Sequence, residues 1–379
     1  MTHPGRLDGV AGVLATLALV ACALGTREAP ASRGASPQGG EATERAWGGR
    51  LAALVEAARR EGQLTLVWSE TALGGHRAAE RLGAGFNRYY GLDLQIQFTP
   101  GPSMPEMAAR LTQEYQAGRR ASSDILVGTE LHIASAMDAL EPVDWLEWAP
   151  NIQLPELIAP RGIAVQIAST TPNITYHSGR VTGASIPQSL QDLLKPQYKG
   201  RVASTPYAAL FDQLASNELW GEQRTLDYVT KLADQVSGLM RVGELERLLG
   251  GEFDIFAINS NDYEPRKLKA QGAPIDYVIP ADAPLILYRY MGVPRHAEHP
   301  NAAKLWINYM LSREAQDILY QAAFTDHHRL PGSRTADVIE KLQTTGVKFY
   351  DIDVGFVQRN DPKELQRING ELQRILQKK

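Results

Sequence analysis

Side chains that can bind or polarise a small molecule recur at one kind of place in this chain, just after short apolar runs. Ser69, Glu70 and Thr71 follow Leu64–Trp68, with Gly74-Gly75-His76 close behind, and Gly101–Ser103 follow the alternating stretch Leu92–Phe98. Thr129 and Glu130 follow Asp124–Gly128, Ser204, Thr205 and Tyr207 sit at or just after the end of the run that begins at Arg201, and Asn261, Asp262 and Tyr263 follow Asp254–Ser260. Hydroxyls, amides and carboxylates in such loops can hold a hard cation through oxygen. The carboxylates of Glu70, Glu130 and Asp262, with Tyr207 and Trp68 offering aromatic faces, also suit a small organic cation. An anion would depend on the helix starts, because no arginine falls on these loops. Helix capping alone accounts for a share of the Ser, Thr and Asn residues, since caps favour those side chains regardless of function.

Signatures of catalysis are missing: there is no GxSxG elbow, no P-loop, no GxGxxG after a strand and no HExxH. The adjacent His327 and His328 have no metal-binding spacing and read as surface histidines. Cys22 is the only cysteine, which excludes an internal disulfide and the CxxC zinc and redox patterns. A net charge of −4 with Lys and Arg spread along the chain gives no basic stripe for a nucleic acid. No cofactor, no enzymatic activity and a monomeric protein are expected.

The elements that must position these loops alternate between strand and helix. Leu64–Ser69 reads as a buried strand, His76–Tyr90 as a helix, Leu92–Phe98 as a second strand, Met104–Ala117 as a helix and Asp124–Gly128 as a third strand. Strands joined by helical crossovers predict an α/β fold with doubly wound parallel sheets. Around Thr170 a second unit begins, with strands at Arg201–Thr205 and Asp254–Ser260; Pro206 is placed to open a helix capped by Thr205. Ala283–Val293 reads as extended chain returning to the first unit. One long helix is expected over Asn301–Ala323 and an amphipathic one over Pro362–Lys379. With 379 residues there is enough chain for two packed lobes.

The N-terminal run Val10–Gly25 is uncharged and too short to span a bilayer, so it reads as an export signal. Its end, Leu19-Val20-Ala21-Cys22, resembles the lipobox of bacterial lipoproteins, which implies cleavage before Cys22 and lipidation of its thiol. The following stretch to Gly49 is rich in Gly, Ala, Ser and Pro and reads as a flexible tether. The organisation is then 1–21 signal peptide, 22–49 lipidated tether, 50–168 lobe one, 169–282 lobe two, and 283–379 the return to lobe one with C-terminal helices.

Four further stretches resemble extracellular solute-binding proteins of bacterial ABC importers, in the branch that includes ferric-iron, thiamine and phosphonate binders. They are Glu61–Val67, Pro187–Val202 (PQSLQDLLKPQYKGRV), Leu268–Val278 and Pro300–Leu319. The resemblance implies a type II periplasmic-binding-protein fold, two lobes joined by hinges near Ala164–Pro172 and Pro280–Tyr288. A small solute is captured between them and delivered to a membrane permease and its ATPase, with the protein anchored at the periplasm or cell surface. In the ferric branch adjacent tyrosines bind Fe(III); the matching positions here are Tyr263 and Glu264, which makes Fe3+ or its chelate the first transported ligand to consider. Thiamine, a polyamine or a phosphonate is the alternative, and so is a ligand-sensing role for a signalling partner.

Overall fold

The computed structural model describes residues 39–208 and 210–378. Cys22, the signal segment and the tether up to residue 38 lie outside the described residues. The backbone is already helical from Gly39 in α1 (Gly39–Glu61), inside the stretch expected as tether, with a break at Gly48, where φ is 72° and ψ is 158°. Among the described residues no helix is long and apolar enough to cross a membrane.

Lobe one begins with α1 and continues through β1 (Gln63–Trp68), α2 (Gly75–Tyr90), β2 (Gln95–Pro100), α3 (Met104–Gln116), β3 (Leu126–Gly128) and α4 (Glu130–Ser135). β1 and β2 pair in parallel, with Gln63 opposite Gln95 and Trp68 opposite Pro100. Leu64, Leu66 and Trp68 are buried on one side of β1, the period-two pattern of a strand with one face in the core. Trp68 lies in that core against Phe98, away from any ligand-stacking position.

The chain crosses to lobe two between β4 (Val165–Thr170) and β5 (Asn173–His177). It then forms β6 (Val202–Ser204), α5 (Phe211–Leu214), α6 (Glu222–Gln235), β7 (Val236–Leu239), α7 (Leu245–Leu249), β8 (Ile255–Asn259), α8 (Tyr263–Ala270) and β9 (Ile275–Val278). The lobe-two sheet has the order β7-β6-β8-β5-β9, with β6 parallel to both neighbours and β5 antiparallel to both of its own. The return strand β10 (Leu285–Gly292) is antiparallel to β3 and β4. The sheets are therefore mixed rather than purely parallel, because each segment that crosses between lobes enters its new sheet running against its neighbours.

Two local expectations change. The long helix over 301–323 divides into α9 (Pro300–Met310) and α10 (Arg313–Ala323), since Ser312 takes an extended conformation and its hydroxyl accepts from Ala315 N at 3.2 Å. No helix starts at Pro206 either. Thr205 Oγ1 donates to Tyr207 O at 2.6 Å, so the hydroxyl closes a turn instead of capping, and the helix waits until Phe211.

The last segment comprises α11 (Arg334–Gln343), β11 (Tyr350–Ile352), α12 (Val354–Arg359) and α13 (Pro362–Leu376). β11 pairs in parallel with β10. Val354 then packs in a cluster with Ile133 and Ile339, while Phe356 joins the lobe-two core. α13 buries Ile368, Leu372 and Leu376 in that same core. Beside the two hinge crossings, the C-terminal segment is thus a third link between the lobes.

Candidate functional site

Between the lobes lies a cavity of about 600 Å3. Thr71, Met104 and Thr129–His132 line it from lobe one, Ala168–Thr170 and Leu287–Arg289 from the hinge strands, and Tyr207, Asn261 and Tyr263 from lobe two. α13 adds Asn369.

The positive charge in this cavity comes from the hinge. β10 reads LILYRYMG, and all of its residues are buried except the half-buried Arg289. Burying an arginine in an apolar strand is costly unless something meets its charge. No carboxylate lies within ion-pair distance of Arg289 among the described residues; Nη1 sits 2.7 Å from the Met104 sulfur. The guanidinium also acts on the hydroxyl of Tyr263, at the start of α8, which lines the same cavity. Burial pushes that phenol above its ordinary 10.0, and Arg289 pulls in the opposite direction.

His132 faces the same cavity. Its Nδ1 accepts from Thr129 N at 3.1 Å and lies 3.0 Å from Thr129 Oγ1, so the ring proton sits on Nε2. Burial, helped by Arg289, lowers its pKa to about 4. At neutral pH it is an uncharged imidazole with an N–H to donate. Arg289, Tyr263 and His132 together present donors and a single positive charge, the chemistry of an anion site.

Glu130 lines the same cavity and is 3% exposed, and Gln213 of lobe two reaches it, Nε2 to Oε1, at 3.4 Å. Burial pushes the Glu130 carboxyl up to about 7. Neighbouring Asp212 is also raised by burial, and it accepts from Asn369 Nδ2 at 3.0 Å.

Of the residues singled out from sequence, the cavity brings together Thr71, Thr129, Glu130, Tyr207, Asn261 and Tyr263. The others do structural work. Glu70 Oε1 accepts from His76 N at 3.0 Å, and the left-handed Gly75 between them (φ 60°) is needed because a side chain there would collide with Glu70. His76 is exposed and pairs with Glu80 at 3.1 Å, and the Ser69 hydroxyl bonds Thr71 Oγ1 at 3.0 Å. Ser204 and Thr205 are fully buried in lobe two. Asp262 is 1% exposed and turned into the hinge, where Oδ1 accepts from Thr170 Oγ1 at 2.6 Å and Thr171 N at 3.2 Å, and Oδ2 pairs with Arg266. Glu264 is half-buried off the cavity, and its backbone N–H is capped by Asn261 Oδ1 at 3.0 Å.

His327 and His328 are not surface residues. His327 is fully buried, stacked on Tyr288, with Nε2 3.1 Å from Gln166 Oε1; His328 Nδ1 lies 3.0 Å from Ser169 Oγ. Both brace the hinge strands from behind. Arg289 and His132 were not found by reading loops, because one lies inside a strand and the other inside a helix. The available signal was a lone charge in an otherwise apolar strand. Among the described residues no three His, Cys, Asp or Glu side chains come together to hold a metal.

A model of the family described as bacterial extracellular solute-binding protein matches residues 141–352. A Serratia marcescens protein, described as an Fe(3+)-binding periplasmic protein, is 28% identical over 148 residues, 38% of this chain and 42% of that one. The chain spans about two fifths of the length of the curated relatives it matches. Among solved structures, the substrate binding protein of the ABC transporter from Agrobacterium tumefaciens superposes with a TM-score of 0.67 at 16% identity, over 84% of this chain and 96% of that one. Iron-bound HitA from Pseudomonas aeruginosa gives 0.61 at 19% identity, over 83% and 99%. These likenesses agree with the two-lobed fold. Because the family model covers more than half of its length, the chain belongs to the bacterial extracellular solute-binding protein family.

Proposed function

We propose that the protein is the substrate-binding component of an ABC-type importer and that its solute is a small anion held at Arg289. It acts by binding, without chemistry on the solute. Ligand contacts both lobes only when they close, and so shifts the population towards a closed form that docks on a membrane permease with its ATPase. The Leu19-Val20-Ala21-Cys22 stretch supports a lipid anchor at Cys22 that keeps the receptor at the membrane.

The observation that carries the anion reading is Arg289 itself, a cation with no carboxylate in ion-pair contact among the described residues, set between the lobes beside Tyr263 and His132. A phosphate-type or carboxylate group would supply the missing partner and accept from all three donors. A bare organic cation would meet Arg289 as a like charge. Titration of the full chain with phosphate, a phosphonate and citrate tests this, read by calorimetry and by small-angle scattering. Binding of at least one with compaction is expected; no binding and no compaction with any anion overturns it.

A second reading keeps iron. The Serratia relative is described as binding Fe(3+), and Tyr263 offers a phenol in the cavity. Iron entering as an anionic chelate would place chelator carboxylates on Arg289 and leave a coordination position for Tyr263. Glu264, off the cavity, would not take part.

A further inference from the structure

Asn369 comes from a part of the chain that lies beyond the family match at 141–352, yet it lines the interlobe cavity. α13 reaches that position because Ile368, Leu372 and Leu376 anchor it in the lobe-two core, Arg367 pairs with Glu222 at 2.7 Å, and Gln377 Nε2 donates to Pro206 O at 2.7 Å. Pro362 and Asp361 start the helix, the latter accepting from Lys363 N at 3.0 Å. The Asn369 side chain is half-buried and donates to Asp212 Oδ2 at 3.0 Å, and its own amide oxygen accepts nothing among the described residues.

Near Asn369 the cavity wall holds polar atoms that are incompletely paired among the described residues. Glu130 Oε2 and Gln213 Oε1 are buried and have no hydrogen-bond partner among the described residues, and both residues line the cavity. Buried polar atoms without partners are rare in folded proteins and mark a place where something else is to supply them. Asp212 and the Asn369 carbonyl add two further acceptors beside them. Arg289, Tyr263 and His132 of the same cavity supply donors and the positive charge.

We infer that the C-terminal helix is part of the solute site and that Asn369, with Asp212, selects solutes whose end remote from the anionic group carries hydrogen-bond donors, hydroxyl or ammonium. The inference rests on the reading of Arg289 as the anion-binding residue. It makes α13 a specificity element, held in place by its packing on lobe two.

The test compares three phosphate monoesters on the full chain by calorimetry: methyl phosphate, glycerol 3-phosphate and fructose 6-phosphate. The hydroxylated esters should bind about tenfold or more tighter than methyl phosphate, the value of one well-placed hydrogen bond. Asn369→Ala should erase that preference, weakening the hydroxylated esters far more than methyl phosphate. Equal affinity for all three esters, or an Asn369→Ala loss shared equally by methyl phosphate, overturns the inference. Arg289→Gln separates the two claims. Loss of every ester in Arg289→Gln, with a flat response in Asn369→Ala, removes only the role of α13; unchanged binding in Arg289→Gln, or no binding of any ester to the native protein, removes the anion site and the inference with it.

Discussion

Gln213 of lobe two and Glu130 of lobe one meet inside the cavity, Nε2 to Oε1 at 3.4 Å, so the two lobes share a polar contact at a carboxyl group that burial pushes up to about 7. Below about pH 4.5 both folded and unfolded chains hold the Glu130 proton. Between its ordinary 4.5 and about 7 the folded protein keeps a proton that the unfolded chain has shed. Stability therefore falls as pH rises through that window and levels off above it, and Asp212, also raised, acts in the same sense. Asp212 repels ionised Glu130 while Arg289 attracts it, and burial outweighs both.

Glu130→Gln should remove most of this slope. The interval corresponds to about 3.5 kcal/mol at roughly 1.4 kcal/mol per pH unit. Urea unfolding from pH 4 to 8 should show the variant gaining on the native protein as pH rises. A pH dependence unchanged by the substitution would assign the slope to other groups.

Arg289→Gln should lower anion affinity by about 100-fold, close to 2.8 kcal/mol, because a charge-assisted contact is exchanged for a neutral one. Folding stability should fall far less, since no carboxylate is in ion-pair contact with the guanidinium among the described residues and only its longer-range attraction to Glu130 is lost. Calorimetry and a melting curve on the same sample check both halves. A large drop in melting temperature with unchanged affinity would make Arg289 a structural residue.

Much of the architecture was legible because it follows from pattern. The β–α alternation over Leu64–Gly128 and the strand before Asn261 give the lobes, and half of the loop residues chosen by position reach the cavity. What the sequence hid has specific causes. Asp262 looks like a ligand carboxylate until Thr170 and Arg266, 92 positions and four positions away, are seen to occupy it. Arg289 was passed over because loop reasoning searches after strands, whereas a hinge strand presents its own side chains to the cleft. Asn369 depends on where an amphipathic helix docks, and amphipathicity names the buried face but not the surface that receives it.

Tyr263→Phe discriminates between the free anion and the iron chelate. If ferric citrate binds through the phenolate, the native complex should show a visible charge-transfer band that the variant lacks, with weaker ferric citrate binding. Citrate alone should bind the variant within a few-fold of the native protein, since Arg289 is retained. An identical band in both proteins would take Tyr263 out of the coordination sphere.

Asp262→Asn separates a ligand role from a hinge role. The amide keeps an acceptor for Thr170 Oγ1 and Thr171 N but removes the charge that faces Arg266, whose side chain is only 11% exposed. Breaking a buried pair by neutralising one partner costs about 3–5 kcal/mol, because the other charge stays buried without compensation. The variant should unfold at markedly lower urea, and adding Arg266→Met should restore much of the loss by removing the stranded charge. Ligand affinity, measured where the variant is still folded, should stay within about threefold of native, since Asp262 points away from the cavity into the hinge. The opposite pattern, native stability with binding abolished, would return Asp262 to the solute site.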